Sequence, residues 1–428
     1  MHLYFIFSCY LYITSALKII RPTGFKWIAP RERTAGDLEL ESKIKLGNKK
    51  SQSNFYSWRR PNWRVHYEER GPTNSDGANV SALLLLPGFG VGTFYFEAQL
   101  EELSRHYKVY SMDFLGQGKS WPISVTEEDS LCYSADLWTE QIIDFVSDIV
   151  KERKVHVFGN SLGGFLAVQA AAVRPDMFSS VILANAAPFW AFAPPIDESR
   201  KYSIWNFWNG TLPAPEPAFS FGKTYFDIIR SRNSVTAMLK GVYSSSDTFD
   251  EKLINDIITS ASQPGGYEAF TSILFSPKSK RSFNECLGTL SKAGLACCLI
   301  YGKEDPWVVP LWGQRALRVL KKAEKFSPDD PSRESKHIYI EISPSGHAPN
   351  HETPVTVNAA IEAWIQGLTR EQSTQPTLTR QLIEKACNRQ YMEKSGVQTR
   401  LTMKDGESSN LFESIVLFAD SMKEMWNE

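Results

Sequence analysis

The 428-residue chain lacks most of the features that place a protein in a special class. Its six cysteines, Cys9, Cys132, Cys286, Cys297, Cys298 and Cys387, form no CxxC pair and have no His-rich neighbourhood. Thiols so dispersed propose neither a disulfide framework nor a zinc site. An excess of either charge is also missing. Lys and Arg total 47 against 48 Asp and Glu, which leaves a formal net charge of −1 and a pI near 6.7. No global basic field therefore argues for nucleic acid as a partner. The apolar run at residues 1–17 stops at Lys18, short of the about 20 residues that a spanning helix needs. Histidine is scarce, with seven in the chain, so candidates for a general base are few. The rest is ordinary globular composition, 42% hydrophobic and 12% aromatic, enough for one large domain with extensions or for two domains.

Residues 1–17 end in the small residues Thr14, Ser15 and Ala16 and read as a signal-peptide core, although no Lys or Arg precedes them. Residues 18–35 then carry Lys18, Arg21, Lys26, Arg31 and Arg33 against Glu32 alone. A signal peptide followed by a basic, acid-poor stretch is expected of the two-part leader of proteins sent to plastids bounded by extra membranes. Plain secretion and an N-terminal anchor are the alternatives. Leader and linker together occupy 1–54.

From about Phe55 short apolar runs alternate with helical periodicity, which predicts an α/β fold with a mostly parallel sheet covered on both faces. Ala82–Leu86 is apolar on both faces, as a central strand requires, and it ends at Pro87-Gly88-Phe89-Gly90. The rhythm breaks between about 187 and 290, where Phe189, Trp190, Trp205 and Trp208 stand among prolines and short helical segments; this stretch reads as an inserted lid. Strand and helix signals resume at Ala296–Tyr301 and close with a helix around Val355–Leu368, giving a domain over 55–369. Beyond it the composition is polar to about Asn410, and Leu411, Ile415, Phe418, Met422 and Met425 then recur at helical spacing. That terminal helix is expected to dock on the domain. Contact with a membrane surface is the sharper alternative, although its polar face is acidic rather than basic.

The chain is organised around Val155–Gly164 (VHVFGNSLGG), in which a strand runs into G-x-S-x-G and a helix follows. This is the nucleophile elbow: a strand-to-helix turn so tight that it presents a serine hydroxyl above the sheet edge. If Ser161 is a nucleophile, the chain needs a base, an orienting acid and oxyanion donors, with the acid and then the histidine later in sequence. Asp305 follows the strand Cys298–Tyr301, at the carboxyl edge of the sheet, with Glu304 as its only close competitor. Asn185 holds the alternative acid position and cannot be an anion. His347 lies in the loop after the last strand, flanked by Gly346, whereas the other histidines fall in the leader, inside strands or on the rim. His351 would complete an H-x-x-x-H pair, but Pro349 breaks the helix that metal ligands at that spacing need. The backbone N–H groups of Leu162 and Phe89 are the expected oxyanion donors. A Trp- and Phe-rich lid suits a large flat apolar substrate, or else simply packs on the core.

These strings closely resemble the plastid pheophytinase and chlorophyll dephytylase family of α/β hydrolases. The match lies in LPGFGVGT at Leu86–Thr93, DFLGQG at Asp113–Gly118, Gly159–Gly164, APFW at Ala187–Trp190, GKEDPWV at Gly302–Val308 and ISPSGHAP at Ile342–Pro349. It covers about residues 60–368; the leader and the tail fall outside it. The resemblance implies the α/β-hydrolase fold, the triad Ser161, Asp305 and His347, and hydrolysis of the phytyl ester of chlorophyll or pheophytin without a metal or organic cofactor. It also implies a hydrophobic ester substrate, a plastid location and peripheral contact with the thylakoid membrane. The short link from Pro122 to Tyr133 favours the dephytylase branch. Two alternatives stand beside this reading: a general carboxylesterase or lipase acting on plastid lipid or other acyl esters, and a non-catalytic pigment- or lipid-binding member of the fold. Epoxide hydrolases and dehalogenases of this fold need an aspartate where Ser161 stands.

Overall fold

The computed structural model describes residues 52–72, 80–123, 125, 129–186, 208–324, 335–371 and 378–404. The leader at 1–51, the terminal amphipathic segment at 411–426 and the lid residues Phe189, Trp190 and Trp205 lie outside the described residues.

Strands β1 (Gln52–Ser57), β2 (Trp63–Arg70) and β3 (Ala82–Leu86) lead to α1 (Glu97–Leu103), β4 (Lys108–Met112) and the short β5 (Trp121–Pro122). Next come α2 (Ala135–Phe145), β6 (Val155–Asn160), α3 (Leu162–Val173) and β7 (Phe178–Ala184). A helical stretch follows: α4 (Glu216–Ile229), α5 (Arg232–Val242), α6 (Glu251–Ala261), α7 (Gly266–Phe275) and α8 (Phe283–Lys292). The fold resumes with β8 (Ala296–Gly302), α9 (Pro310–Ala323), β9 (Ile338–Ser343), the single turn α10 (Pro349–Glu352) and α11 (Pro354–Glu371). It ends with α12 (Leu378–Cys387), β10 (Gln390–Met392) and β11 (Gln398–Lys404).

All described strands belong to one sheet, ordered β1-β2-β4-β3-β6-β7-β8-β9-β11-β10, with β5 beside β2. The six strands from β4 to β9 in that order are parallel to their neighbours, and β2 and β11 flank them antiparallel. Alternation of side chains splits the core in two. Leu84, Leu86, Val157, Val181, Leu183 and Leu299 pack under α2, α3, α8 and α9. Leu83, Leu85, Phe158, Ile182, Ile300 and Ile340 pack on the other face against α1, α11 and α12. Helix α3 is buried along nearly its whole length because it crosses the middle of the sheet.

Two segments differ from the sequence expectation. Helix α8, inside the stretch assigned to the lid, packs against α3 and α9 as part of the helical layer. Residues 378–404, expected to lie in a polar extension, continue the sheet: β11 pairs antiparallel with β9, from Arg400 opposite Ser343 to Lys404 opposite Tyr339. The reason is that β11 buries a single face. Thr399 and Leu401 alternate with exposed Gln398 and Arg400, so a polar-looking segment still covers the edge of β9.

Candidate active site

Parallel register brings five strand ends to one edge. Leu86 of β3 lies opposite Gly159 of β6, Asn160 opposite Ala184 of β7, Ala184 opposite Ile300 of β8, and Gly302 opposite Ile342 of β9. The loops carrying Phe89, Ser161, Asn185, Asp305 and His347 therefore converge at the carboxyl ends of adjacent parallel strands, where open α/β sheets bind ligands.

Ser161 sits between β6 and α3 with φ 52° and ψ −115°, a conformation that costs an L-residue about 1–3 kcal/mol. The turn holds because its neighbours are glycine. A Cβ at Gly159 would overlap the backbone of Gly163, and one at Gly163 would overlap the carbonyl of Leu86. The Ser161 N–H donates to Ala184 O at 2.9 Å, tying the elbow to β7. The strain is thus overdetermined by packing, and the hydroxyl is left facing the loops.

His347 Nε2 lies 2.9 Å from Ser161 Oγ, and His347 Nδ1 lies 2.7 Å from Asp305 Oδ2. His347 is 9% exposed and Asp305 3%. Asp305 Oδ1 accepts from the N–H groups of Trp307 and Val308 at 2.8 and 3.0 Å. Burial opposes charge on both groups. The His347 ring and the two backbone donors nevertheless hold the Asp305 carboxyl below its ordinary range. Burial likewise disfavours the imidazolium, but the Asp305 carboxylate outweighs it and raises the His347 pKa above the usual 6.5. Glu304 turns elsewhere, accepting from Ser343 Oγ at 2.7 Å and from Ser345 N at 2.8 Å. The two carboxylates that compete in sequence are separated by what they bond.

Phe89 and Leu162 flank the serine. Leu162 opens α3, where the first N–H groups have no intrahelical acceptor. The Phe89 loop runs close by: a Cβ on Gly88 would stand 3.5 Å from Ser161 Cβ. Gln117 Oε1 accepts from Gly90 N at 2.7 Å and braces that loop. Trp208 bonds Thr211 O through its indole N–H at 2.7 Å and lies 5.4 Å, centroid to centroid, from Phe275. It packs on the core, which is the bland alternative for a lid aromatic.

Several supporting residues are not evident from sequence. Asn185 Nδ2 donates to Asp305 Oδ2 at 2.6 Å, while its Oδ1 accepts from Gly302 N at 3.0 Å. Asn160 Nδ2 reaches His347 O at 3.1 Å and Ala184 O at 3.2 Å. Trp307 leans over the imidazole at 5.8 Å and is 38% exposed, an aromatic wall at the mouth of the site. Asn160 and Asn185 are polar residues at the ends of apolar strands, a signal in the sequence that could have marked both, and Asn185 also stands at the alternative acid position.

Among the described residues, three other histidines are occupied otherwise. His156 bonds Ser180 at 2.7 Å, and His351 stacks on Tyr95 at 4.9 Å. His66 makes a second chain of this kind, 2.8 Å to Ser53 Oγ and 2.8 Å to Asp113 Oδ2. There the carboxylate is engaged by the N–H groups of Thr93 and Lys119, and Ser53 lies on β1 at the far edge of the sheet. That chain braces loops.

Comparison with known proteins shows the family. The profile of the alpha/beta hydrolase family matches residues 83–360. Pheophytinase, chloroplastic, of Arabidopsis thaliana is 37% identical over 334 residues, 72% of this chain and 65% of that protein's own length. A pimeloyl-[acyl-carrier protein] methyl ester esterase of Aliivibrio fischeri is 24% identical over 63% of this chain and 87% of its own. Among solved structures, a putative lipase from Acinetobacter baumannii superposes with a TM-score of 0.52 at 17% identity, over 80% of this chain and all of that one. A serine hydrolase involved in carbazole degradation gives 0.52 at 16% identity, over 74% and 99%.

Proposed function

The chain belongs to the alpha/beta hydrolase family, and from that membership we propose that it is a serine ester hydrolase that removes phytol from chlorophyll or pheophytin. The observation that carries the ester-hydrolase reading is the line of contacts from the strained Ser161 hydroxyl through His347 to Asp305, 2.9 and 2.7 Å long. The pigment assignment rests on likeness to the Arabidopsis pheophytinase, of whose length the chain spans 65%.

In this mechanism Ser161 Oγ attacks the ester carbonyl while His347 Nε2 takes its proton. Asp305 orients the ring through Nδ1 and stabilises the imidazolium. The N–H groups of Phe89 and Leu162 receive the oxyanion; one such donor is worth about 10²–10³ in kcat. His347 returns the proton to the departing alkoxide, releasing phytol. Water, activated by the same ring, then hydrolyses the acyl-enzyme to the free tetrapyrrole acid. Magnesium in chlorophyll belongs to the substrate and takes no part. A plastid location with peripheral contact at the thylakoid membrane completes the proposal.

A second reading, hydrolysis of lipid or other acyl esters with the same residues, is favoured by the esterase resemblance. Purified protein incubated with chlorophyll a and with pheophytin a, followed by pigment chromatography beside Ser161→Ala, separates them. Phytol release that disappears in the variant is expected. Turnover of a p-nitrophenyl ester with neither pigment cleaved would leave the second reading. Pigment binding with no ester cleaved would leave the non-catalytic one.

A further inference from the structure

Glu352 is 2% exposed and lies five residues after His347, in α10. Its carboxylate is shared between two parts of the molecule. Oε1 accepts from Gly346 N at 2.9 Å and Ala348 N at 3.4 Å, the residues on either side of the imidazole-bearing one. Oε2 accepts from Ser244 N and Ser244 Oγ, each at 2.7 Å, where the chain leaves α5. The same two segments also meet directly, because His347 N donates to Val242 O at 2.8 Å. Gly346 permits this contact: a Cβ there would overlap Val242 O and crowd Ser244 N. Around the junction, Val235, Leu239, Val242 and Tyr243 of the helical stretch pack with Val91, Tyr95 and Ala348 in one apolar cluster.

We propose that Glu352 is a positioning residue for His347, fastening the loop that carries the imidazole to the base of the helical lid. The proposal rests on the reading of His347 as the general base. A buried carboxylate with four donors is geometrically exacting, so the loop has one low-energy position relative to Ser244. Displacing α5 therefore shifts the base relative to Ser161. The Glu352 charge also acts on the ring, adding to the larger effect of Asp305 in favouring the imidazolium. Burial raises the pKa of Glu352 itself, and the bonds from Ser244, Gly346 and Ala348 oppose this. The titratable groups facing this pair are Asp305 from the loop after β8, Tyr95 from the β3–α1 connection and Tyr243 beside Ser244; Asp250, preceding α6, acts on Tyr243 and His351.

The test uses the full chain as wild type, Glu352→Gln and Ser244→Ala. One measurement is kcat and KM on a p-nitrophenyl ester across the imidazole titration range. The other is the NMR titration of the His347 Nδ1 proton, assigned by its loss in Asp305→Asn. Gln keeps an acceptor for one side but turns an NH2 toward the donors of the other. Glu352→Gln is expected to lower kcat by about 10–100-fold with KM nearly unchanged. The acid limb of kcat/KM and the proton titration should both move to lower pH. Ser244→Ala leaves the charge and is expected to keep the profile while lowering kcat several-fold. An unmoved titration in Glu352→Gln, or a raised KM at wild-type kcat, overturns the proposal. If Glu352→Gln does not fold, wild-type kcat in Ser244→Ala overturns it. A wild type silent toward every ester while the Glu352→Gln titration shifts would sustain the positioning role and sink the ester-hydrolase reading. An active wild type with an unmoved titration would sink the positioning alone.

Discussion

At position 161 the backbone holds φ 52° for the sake of where the side chain points. Glycine adopts that conformation without strain, so Ser161→Gly is expected to raise stability by about 1 kcal/mol in urea unfolding while hydrolysis is lost. Ser161→Ala keeps the strain, so it should lose activity by several orders of magnitude with a near-native melting temperature. At the base the signs are fixed by charge. Catalysis needs neutral His347, whose pKa lies above 6.5 because Asp305 outweighs burial, so kcat/KM should fall with acid at a pH above that of ordinary imidazole. Asp305→Asn removes the outweighing charge and should move that limb down while kcat drops about 10⁴-fold, read from the same pH profile. Asn185 acts through Asp305: Asn185→Leu withdraws a 2.6 Å donor and leaves Gly302 N without its acceptor, so kcat should fall roughly tenfold.

Among the elements, α11 shows how the segment after 371 enters the domain. The first turn of a helix leaves N–H groups without partners. Here Glu393, beside β10 and 3% exposed, accepts from Val355 N at 3.0 Å, Thr356 N at 3.1 Å and Thr356 Oγ1 at 2.6 Å. A side chain almost forty residues away thus does what a local Ser or Asp usually does. Glu393→Ala is expected to destabilise by about 1–2 kcal/mol, seen as a lower urea midpoint at unchanged slope. The elbow is an element-scale device too. Gly163→Ala sets a methyl against the carbonyl of Leu86, so β3 and α3 cannot keep both their positions, and the expected loss is about 1–3 kcal/mol.

For the whole molecule, the consequential feature is the covered edge of β9. Lys404 of β11 pairs with Glu341 of β9 at 2.6 Å, and Glu341 is 3% exposed. A chain ending at Glu371 would leave that carboxylate without its cation, uncap α11 and open the edge of the strand that leads to His347. Such a truncation should aggregate or melt well below the full chain, and scattering together with calorimetry would measure it. An unchanged melting temperature would mean that the sheet extension is dispensable. Among the described residues no helix is long and apolar enough to cross a membrane.

Local chemistry was readable from the sequence itself. Glycines at 159 and 163 around a serine and a parallel-strand run at Ala82–Leu86 follow from sterics or periodicity within a few residues, the order Ser161, Asp305, His347 follows from the chain order that the elbow requires of its acid and base, and the alternation of strand and helix gave the fold class. Partnerships across the sheet were decided only by the tertiary structure, because strand order and register determine them. Asn160 meets the carbonyl of His347, Asn185 meets Asp305, Glu352 joins the His347 loop to Ser244, and Glu304 is turned away toward Ser345. Residues 398–404 look polar because they need to bury only Thr399 and Leu401, and only the open edge of β9 makes a strand of them. A residue's own pattern reports how its segment folds; which donor finds which acceptor depends on what the fold brings beside it.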